Sequence, residues 1–166
     1  MATKRVIEFK LTSGSYGFLA NFYKKIFIAE GIKWRTSEHY YQYKKMKFLQ
    51  DIGEPITDEI LQSLIDAKTA RDVKRIGHIK CNNIDKWDEV KVDAMMDVLR
   101  AKFTYDRFIR MLLETEDAIL VESSYYDTFW GNGGYSKNGL NMLGKCLMRI
   151  RAELKQATTE QAEQSV

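Results

Sequence analysis

Helical periodicity covers most of the chain after residue 37 and constrains its fold more than any other feature. Apolar residues recur at helical spacing in five stretches, 37–50, 57–76, 85–102, 105–114 and 140–154. Such spacing is typical of helices that bury one face. Within the second stretch, the helix that Thr57 begins either continues through Ala67 or restarts there. Thr57 and Asp85 are expected to cap two of these helices and Gly77 to end one, while the only proline, Pro55, lies in a loop. The sequence therefore predicts a mainly helical fold.

A small β element is expected beside the helices. Residues 5–11 alternate between apolar and polar side chains, which is typical of a strand. Lys25 to Ala29 is interpreted as a second strand and Gly31 as the turn after it. A short strand is also predicted from Ala118 to Val121, before a loop over 123–139. The predicted class is mainly α, within α+β, as a single multihelical domain.

Composition excludes several kinds of protein. The 166 residues are 45% hydrophobic and 30% charged with a net charge of +3, which is ordinary for one globular domain. Cys81 and Cys146 match no metal-ligand spacing, and only His39 and His78 are present. We therefore expect reduced thiols, a cytoplasmic location and no metal or other cofactor. No apolar run reaches the roughly 20 residues that span a membrane.

The domain is assigned to residues 1–155. Residues 156–166 are polar and lack large apolar anchors until the last position. Such a segment buries too little apolar surface to offset the entropy of ordering it. We expect it to be a disordered tail.

One helix face combines an acid, an amide and an amine. Thr36 or Ser37 can cap the helix, and Glu38, Gln42 and Lys45 then follow at i, i+4 and i+7. Aromatic residues surround them: Trp34, Tyr40, Tyr41 and Tyr43. An acid and an amine held among aromatic rings are suited to acid–base or Schiff-base chemistry. The alternative is a surface Glu–Lys pair on an amphipathic helix.

A second candidate site lies in the glycine-rich loop over 126–134. Asp127 is a carboxylate that can meet Glu38 in space, and Trp130 can stack on a base or a sugar. Glycines before a helix let backbone N–H groups approach an anion. The alternative is a tight turn ahead of a helix with Trp130 as a core anchor. Trp87, likewise, is most simply a core aromatic.

Several ordered motifs resemble the NADAR superfamily of YbiA-like N-glycosidases. Phe18 to Phe22 resembles its Phe-Ser-Asn-Phe element, and Trp34 to Gln42 its Trp-x-Thr-x-Glu-His-Tyr-x-Gln signature, with Lys45 at the family's lysine. Further matches are Ala101-Lys102-Phe103, Leu120-Val121-Glu122, Asp127-x-x-Trp130-Gly131 and the segment from Gly139 to Arg151 that contains Asn141 and Gly144. The similarity covers roughly residues 15–155 and implies a YbiA-like multihelical fold.

The resemblance implies hydrolysis of the bond between a ribose and an exocyclic amine. Its two associated substrates are ADP-ribose on the amino group of guanine and the phosphoribosylamino-pyrimidine intermediates of riboflavin synthesis. We favour ADP-ribosylated guanine, because the chain shows no fused biosynthetic domain. A nucleic-acid substrate needs a basic rim, for which Arg35, Lys44, Lys47 and Lys137 are candidates.

The resemblance also implies roles for single residues. Glu38 is the general acid/base, Lys45 the covalent nucleophile and Asp127 the group that orients a ribose hydroxyl. The substrate-binding candidates are Asn21, Trp34, Gln42, Trp87, Trp130, Gly131, Asn141 and Gly144. Because Lys44, Lys45 and Lys47 are close in sequence, any of the three can be the pocket lysine.

Three alternatives to this mechanism and function remain open. In the first, Glu38 and Asp127 direct water onto the sugar without a covalent step. In the second, the protein binds ADP-ribose or a nucleotide without cleaving it. In the third, it is a regulatory partner that acts through protein contacts.

Overall fold

The computed structural model describes residues 4–10, 12–134 and 137–164. The strands are β1 (Val6–Phe9), β2 (Phe27–Ala29), β3 (Ile32–Trp34) and β4 (Ile119–Glu122). The helices are α1 (Ser37–Asp51), α2 (Asp58–Asp66), α3 (Ala70–Ile76), α4 (Ile84–Lys102), α5 (Asp106–Leu113) and α6 (Met142–Gln164), with a short 3-10 helix at Gly17–Leu19. This content confirms the predicted mainly helical α+β class.

The chain divides into two compact units. The central unit is Asn21–Lys102, and the two-segment unit combines Met1–Ala20 with Phe103–Val166. The central unit therefore consists of one continuous stretch of chain, whereas the two-segment unit is built from both ends of it. The prediction of one domain ending at residue 155 stays a prediction.

Threonine caps set the start of three helices in the central unit. The hydroxyl oxygens of Thr36, Thr57 and Thr69 accept hydrogen bonds from the backbone N–H three residues later. Each cap satisfies a donor that the first helical turn cannot pair internally. The cap predicted at Thr57 is confirmed, and Thr36 is the one of the two candidates that caps α1. Gly77, the predicted stop, is the C-cap of α3.

Helix α1 is the centre of the central unit. It packs against α2, α3 and α4. Residues Met46 and Leu49 of α1, Leu64 of α2, Val73 of α3 and Leu99 of α4 are fully or almost fully buried. The antiparallel pair β2–β3, with Phe27 opposite Trp34, precedes this helix. Burial on three sides fixes α1, and with it the acid–amine stripe.

The two-segment unit is closed by a parallel strand pair. Strands β1 and β4 align Ile7 with Leu120, and both side chains are buried. Helix α6 packs on β4 and on α5. Phe18 lies edge-on to Phe103 and Phe108, at ring-centroid distances of 6.5 and 6.2 Å. The unit therefore depends on contacts between residues far apart in sequence.

Several predicted boundaries differ from the structure. The first strand is confirmed only over Val6–Phe9, and Leu11 lies outside the described residues. Strand β3 was not predicted; its three residues are too few to show a period, and only the β2 partner reveals it. Asp85 is not the cap of α4 but lies in its first turn, where the helix dipole still favours a carboxylate.

The last helix is longer than the sequence predicts. Helix α6 begins at Met142 and continues to Gln164, although an end near Leu154 and a disordered tail from 156 were expected. The residues of α6 beyond Lys155 are exposed, and all of them except Thr158 and Thr159 are good helix formers. A helix already nucleated by packing extends through them at little cost. Among the residues described, no helix has the length and apolar character needed to cross a membrane.

Candidate active site

The predicted acid lies buried at the start of α1. Glu38 is 6% exposed, and its backbone N–H donates to the Asn21 carbonyl oxygen at 3.1 Å. Gln42 Nε2 donates to Glu38 Oε1 at 2.9 Å. The position in the first turn of the helix favours the negative carboxylate. The structure therefore brings Asn21, Glu38 and Gln42 together. The shared face of Glu38 and Gln42 was predicted from their spacing, whereas the contact with Asn21 was not.

Lys45 continues the stripe one turn further. Its Nζ donates to the Gly77 carbonyl oxygen at 2.9 Å. Burial lowers the pKa of Lys45 below its ordinary value of 10.5, although the nearby Cys81, Asp88 and Glu38 partly oppose this shift. A lowered pKa increases the fraction of lysine that is neutral, and nucleophilic catalysis requires the neutral amine because only it attacks carbon.

The neighbouring lysines have different surroundings. Lys44 pairs with Asp97 at 3.3 Å and with Glu30 at 3.7 Å, and Lys47 pairs with Asp51. Both lysines therefore form ion pairs with acidic side chains, and Lys47 also donates to Gln50 Oε1 at 3.2 Å, whereas Lys45 donates to a backbone carbonyl. These contacts favour Lys45 as the reactive amine among the three candidates.

Three buried polar atoms of the central unit have no hydrogen-bond partner within the described part of the chain: Asn21 Oδ1, Ser37 Oγ and Gln42 Oε1. Asn21 Nδ2, in contrast, donates to Met95 Sδ at 3.5 Å. Native proteins pair nearly all buried polar atoms, and exceptions mark places where a ligand or water completes the network. All three atoms belong to residues on or bonded to the first turns of α1. The site is therefore suited to a polar ligand.

The two tryptophans of the central unit are core residues. Trp34 donates from Nε1 to the Ala29 carbonyl oxygen at 3.1 Å and stacks on Tyr40 at 5.0 Å. Trp87 is buried between Tyr41 and Phe48, with ring-centroid distances of 5.5 and 5.8 Å. These contacts match the core interpretation of Trp87. The substrate-binding role of either ring stays a prediction.

His39 is held in one tautomer by its partners. Its Nε2 lies 3.0 Å from the Ala67 carbonyl oxygen, which can only accept, so Nε2 carries the proton. Nδ1 then accepts from the Thr36 hydroxyl at 2.8 Å. Burial lowers the pKa of His39, which favours this neutral form. The histidine of the signature therefore fixes the start of α1 to the residues before α3.

Asp127 organises its own loop in the two-segment unit. Its Oδ1 accepts from the backbone N–H groups of Phe129 at 3.0 Å and Trp130 at 2.7 Å. This is an Asx turn, in which the carboxylate replaces a backbone acceptor. The Trp130 ring lies edge-on to Phe129 at 4.9 Å and is only partly buried. The pairing of Asp127 with Glu38 and the ligand role of Trp130 stay predictions.

The other candidates of this unit support strand β4. Asn141 Nδ2 donates to the Leu120 carbonyl oxygen at 2.8 Å, and Asn141 Oδ1 accepts from Glu122 N–H at 2.9 Å. A Cβ on Gly144 would lie 2.1 Å from the Leu120 oxygen, and one on Gly131 would lie 2.6 Å from Ser124 Cβ. Gly144 therefore allows α6 to pack closely on the backbone of β4, and Gly131 allows its loop to pack closely on Ser124. The predicted role of these three candidates in substrate binding stays a prediction.

Sequence reasoning gave no role to two buried charged residues. Lys102, at the end of α4, has no exposed surface, and its only signal was the Ala-Lys-Phe match. Glu54 is 6% exposed and accepts from Asn82 N–H at 3.2 Å and Asn83 N–H at 2.8 Å. Nothing in the local pattern around Glu54 distinguishes it from a surface acid. No cluster of three or more metal-binding side chains occurs in the described parts of the chain.

Comparison with known proteins supports the resemblance seen in the sequence. Residues 8–155 match the NADAR domain. Over 150 residues the chain is 37% identical to the N-glycosidase YbiA of Escherichia coli strain K12, covering 90% of this chain and 88% of that protein. The NMR structure of E. coli YbiA superposes with a TM-score of 0.80 at 29% identity, covering 96% of this chain and 90% of the other.

A plant protein gives a second comparison. The chain is 37% identical over 127 residues to the riboflavin biosynthesis protein PYRR of Zea mays. The match covers 73% of this chain but only 20% of the maize protein, so the chain spans about a fifth of that relative's length. Fold and sequence together define the class of the YbiA-like N-glycosidases. The chain belongs to the NADAR domain family.

Proposed function

We propose that this protein hydrolyses the N-glycosidic bond between a ribose and an exocyclic amine. The observation that carries the proposal is the stripe on α1, where a buried Glu38 precedes Lys45, whose pKa burial lowers. The Glu38 carboxyl group can exchange protons with the leaving amine of the substrate, and the Lys45 amine can attack the sugar carbon. Membership in the NADAR family supports this choice of chemistry.

The covalent mechanism proceeds through two imines. The ribose ring opens when the bond from C1 to the ring oxygen breaks, the oxygen takes a proton, and C1 forms an imine with the leaving amine. The neutral Lys45 amine adds to C1, and the leaving amine departs with a proton supplied by Glu38. Water then adds to the Lys45 Schiff base and releases the sugar aldehyde, which restores the free lysine. Each proton removed is returned, so Glu38 acts in turn as acid and base.

Direct attack by water is the second mechanism. In it, Glu38 protonates the leaving amine and Asp127 activates water. The Asx turn weighs against this role, because one Asp127 oxygen already accepts two backbone hydrogen bonds. Borohydride reduction during turnover separates the mechanisms. A sugar adduct on Lys45 supports the covalent path, and absence of an adduct together with an active Lys45→Ala variant excludes it.

Two substrate classes fit this chemistry. One is ADP-ribose on the guanine amino group, and the other is a phosphoribosylamino-pyrimidine of riboflavin synthesis. The name of the maize relative favours the second class. Both present a ribose C1 joined to an amine outside a ring, so the same residues serve for either.

The proposal is tested by mass-spectrometric cleavage assays on both substrates. Wild-type protein is expected to release the base from at least one of them. Glu38→Gln should lower kcat by about 10²-fold or more, the usual contribution of a general acid/base. Lys47→Ala is the matched control on the same helix and should retain activity, because Lys47 pairs with Asp51. Full turnover by Glu38→Gln would overturn the proposal, and tight binding without cleavage would favour a binding module.

A further inference from the structure

A cavity of about 530 Å³ lies beside Lys45 in the central unit. Its wall is formed by Lys45, residues 78–82 and Ile84. This volume is within the range of cavities that hold small-molecule ligands. The cavity therefore has room for more than the sugar carbon that Lys45 would attack.

The charge of the cavity wall is of one sign. Lys80 supplies a positive charge, Lys45 an amine that can donate hydrogen bonds, and His78 a further side chain that can donate them. No aspartate or glutamate belongs to the described residues that line it. Such a surface is complementary to an anion, and lysine is a common ligand of phosphate in proteins.

The wall is fixed at both ends. At one end the Gly77 carbonyl oxygen accepts from Lys45 Nζ at 2.9 Å, and Gly77 lies so close to Gln42 that a Cβ would be 2.0 Å from Gln42 Oε1. At the other end the Glu54 carboxylate accepts the backbone N–H groups of Asn82 and Asn83. These two N–H groups are already satisfied, so an anion would have to be bound by side chains.

From these contacts we propose that the cavity binds the phosphate end of the substrate. The side chains of Lys80 and His78 bind the phosphate, and Lys45 is positioned to attack the sugar C1. The inference rests on the proposed function and names the part of the substrate that this site would hold. The same chemistry serves the 5-phosphate of a ribosylamine and the diphosphate of ADP-ribose. A substrate that lacks phosphate would lose these contacts and keep those to Glu38 and Lys45.

Direct binding tests the inference without requiring catalysis. Calorimetric titration with ribose 5-phosphate is compared for the wild type, Lys80→Gln, His78→Gln and Lys68→Gln. Lys80→Gln should weaken binding about ten-fold or more, the size expected for one charge-assisted hydrogen bond. Lys68→Gln is the matched control, because Lys68 is also exposed in the central unit but does not line the cavity. Equal affinities for the wild type and Lys80→Gln, or no binding by the wild type at millimolar ligand, would overturn the inference.

Repeating the titration with ADP-ribose and with ribose identifies the source of the phosphate. Higher affinity for ribose 5-phosphate than for ADP-ribose indicates a monoester site, and the reverse order indicates a diphosphate site. Affinity for ribose equal to that for the phosphorylated ligands overturns the inference. Kinetic measurements distinguish failure of this inference from failure of the proposed function. If the wild type cleaves its substrate and Lys80→Gln leaves KM unchanged, only the inference fails. If ribose 5-phosphate binds through Lys80 but neither substrate is cleaved, only the proposed function fails.

Discussion

At the residue scale, two lysines on one helix have pKa values shifted in opposite directions. Burial lowers the pKa of Lys45, while the hydrogen bond to Asp51 raises the pKa of Lys47. After reductive ¹³C-methylation, the NMR signal of Lys45 should titrate at lower pH than that of Lys47, with Lys45→Gln assigning the signal. Folded protein then loses this proton before the unfolded chain does, so the contribution of Lys45 to the unfolding free energy rises with pH below 10.5. Titration of Lys45 at or above the pH of Lys47 would contradict the assignment.

The residues of α1 show how much of the site the sequence could predict. Spacing at i, i+4 and i+7 was enough to align Glu38, Gln42 and Lys45, because helix geometry fixes which side chains share a face. It could not predict that Lys45 reaches the Gly77 carbonyl, which is 32 positions away. Nor could it distinguish Glu54, whose partners Asn82 and Asn83 come from a distant segment. Local pattern determines the stripe, and tertiary contacts determine its surroundings.

At the element scale, helix α6 and strand β4 approach each other through a glycine. A Cβ on Gly144 would lie 2.1 Å from the Leu120 carbonyl oxygen, which is backbone and cannot move by a rotamer change. Gly144→Ala should therefore lower the unfolding free energy by about 1–3 kcal/mol, as overpacking does, despite the better helix propensity of alanine. Urea denaturation followed by circular dichroism measures the change. Lys145→Ala, at the exposed neighbouring position, is the control and should stay within about 0.5 kcal/mol of wild type.

The start of α4 provides a second prediction at this scale. Hydrogen bonds from Asn83 and Asn82 lower the pKa of Glu54, so its stabilising effect is present above the unfolded pKa and is lost as pH falls through the folded pKa. Glu54→Gln should lower the urea midpoint at pH 7, because the amide turns a donor toward N–H groups. The difference in urea midpoint between the wild type and Glu54→Gln should become smaller at acidic pH, where Glu54 is protonated. Glu89→Gln, an exposed substitution on α4, should leave the urea midpoint unchanged, and an equal loss from Glu54→Gln at both pH values would exclude a charge effect.

Elements also show where local pattern stops being informative. Helices α1 and α5 were predicted within a few residues of their observed ends. The stretch over 57–76 divides into α2 and α3, because Thr69 caps a new helix. The parallel pairing of β1 with β4 was not predicted, since Val6 and its partner Ile119 lie 113 positions apart. The end of α6 was also missed, because its last turns are polar and carry no apolar period to follow.

At the scale of the whole molecule, charge balance bears on the choice of substrate. The chain has 26 basic and 23 acidic residues, and Lys44 and Lys47 of the predicted basic rim are paired with acidic side chains. Counterion release from nucleic acid requires several unpaired cations acting together. The pairing of these two lysines weakens the predicted basic rim and supports the proposal of a freely diffusing ribosylamine as substrate.

The corresponding prediction concerns affinity for unmodified nucleic acid. Fluorescence anisotropy with a labelled 20-nucleotide single strand should give a Kd weaker than about 10⁻⁴ M at 150 mM salt, the weak end of non-specific binding. The slope of log K against log salt should correspond to about two phosphate contacts or fewer. Lys44→Gln should change neither value, because Lys44 already lies between Glu30 and Asp97. Micromolar binding with a slope of four or more would show that the molecule carries a nucleic-acid surface after all, and would return ADP-ribosylated guanine to first place among its substrates.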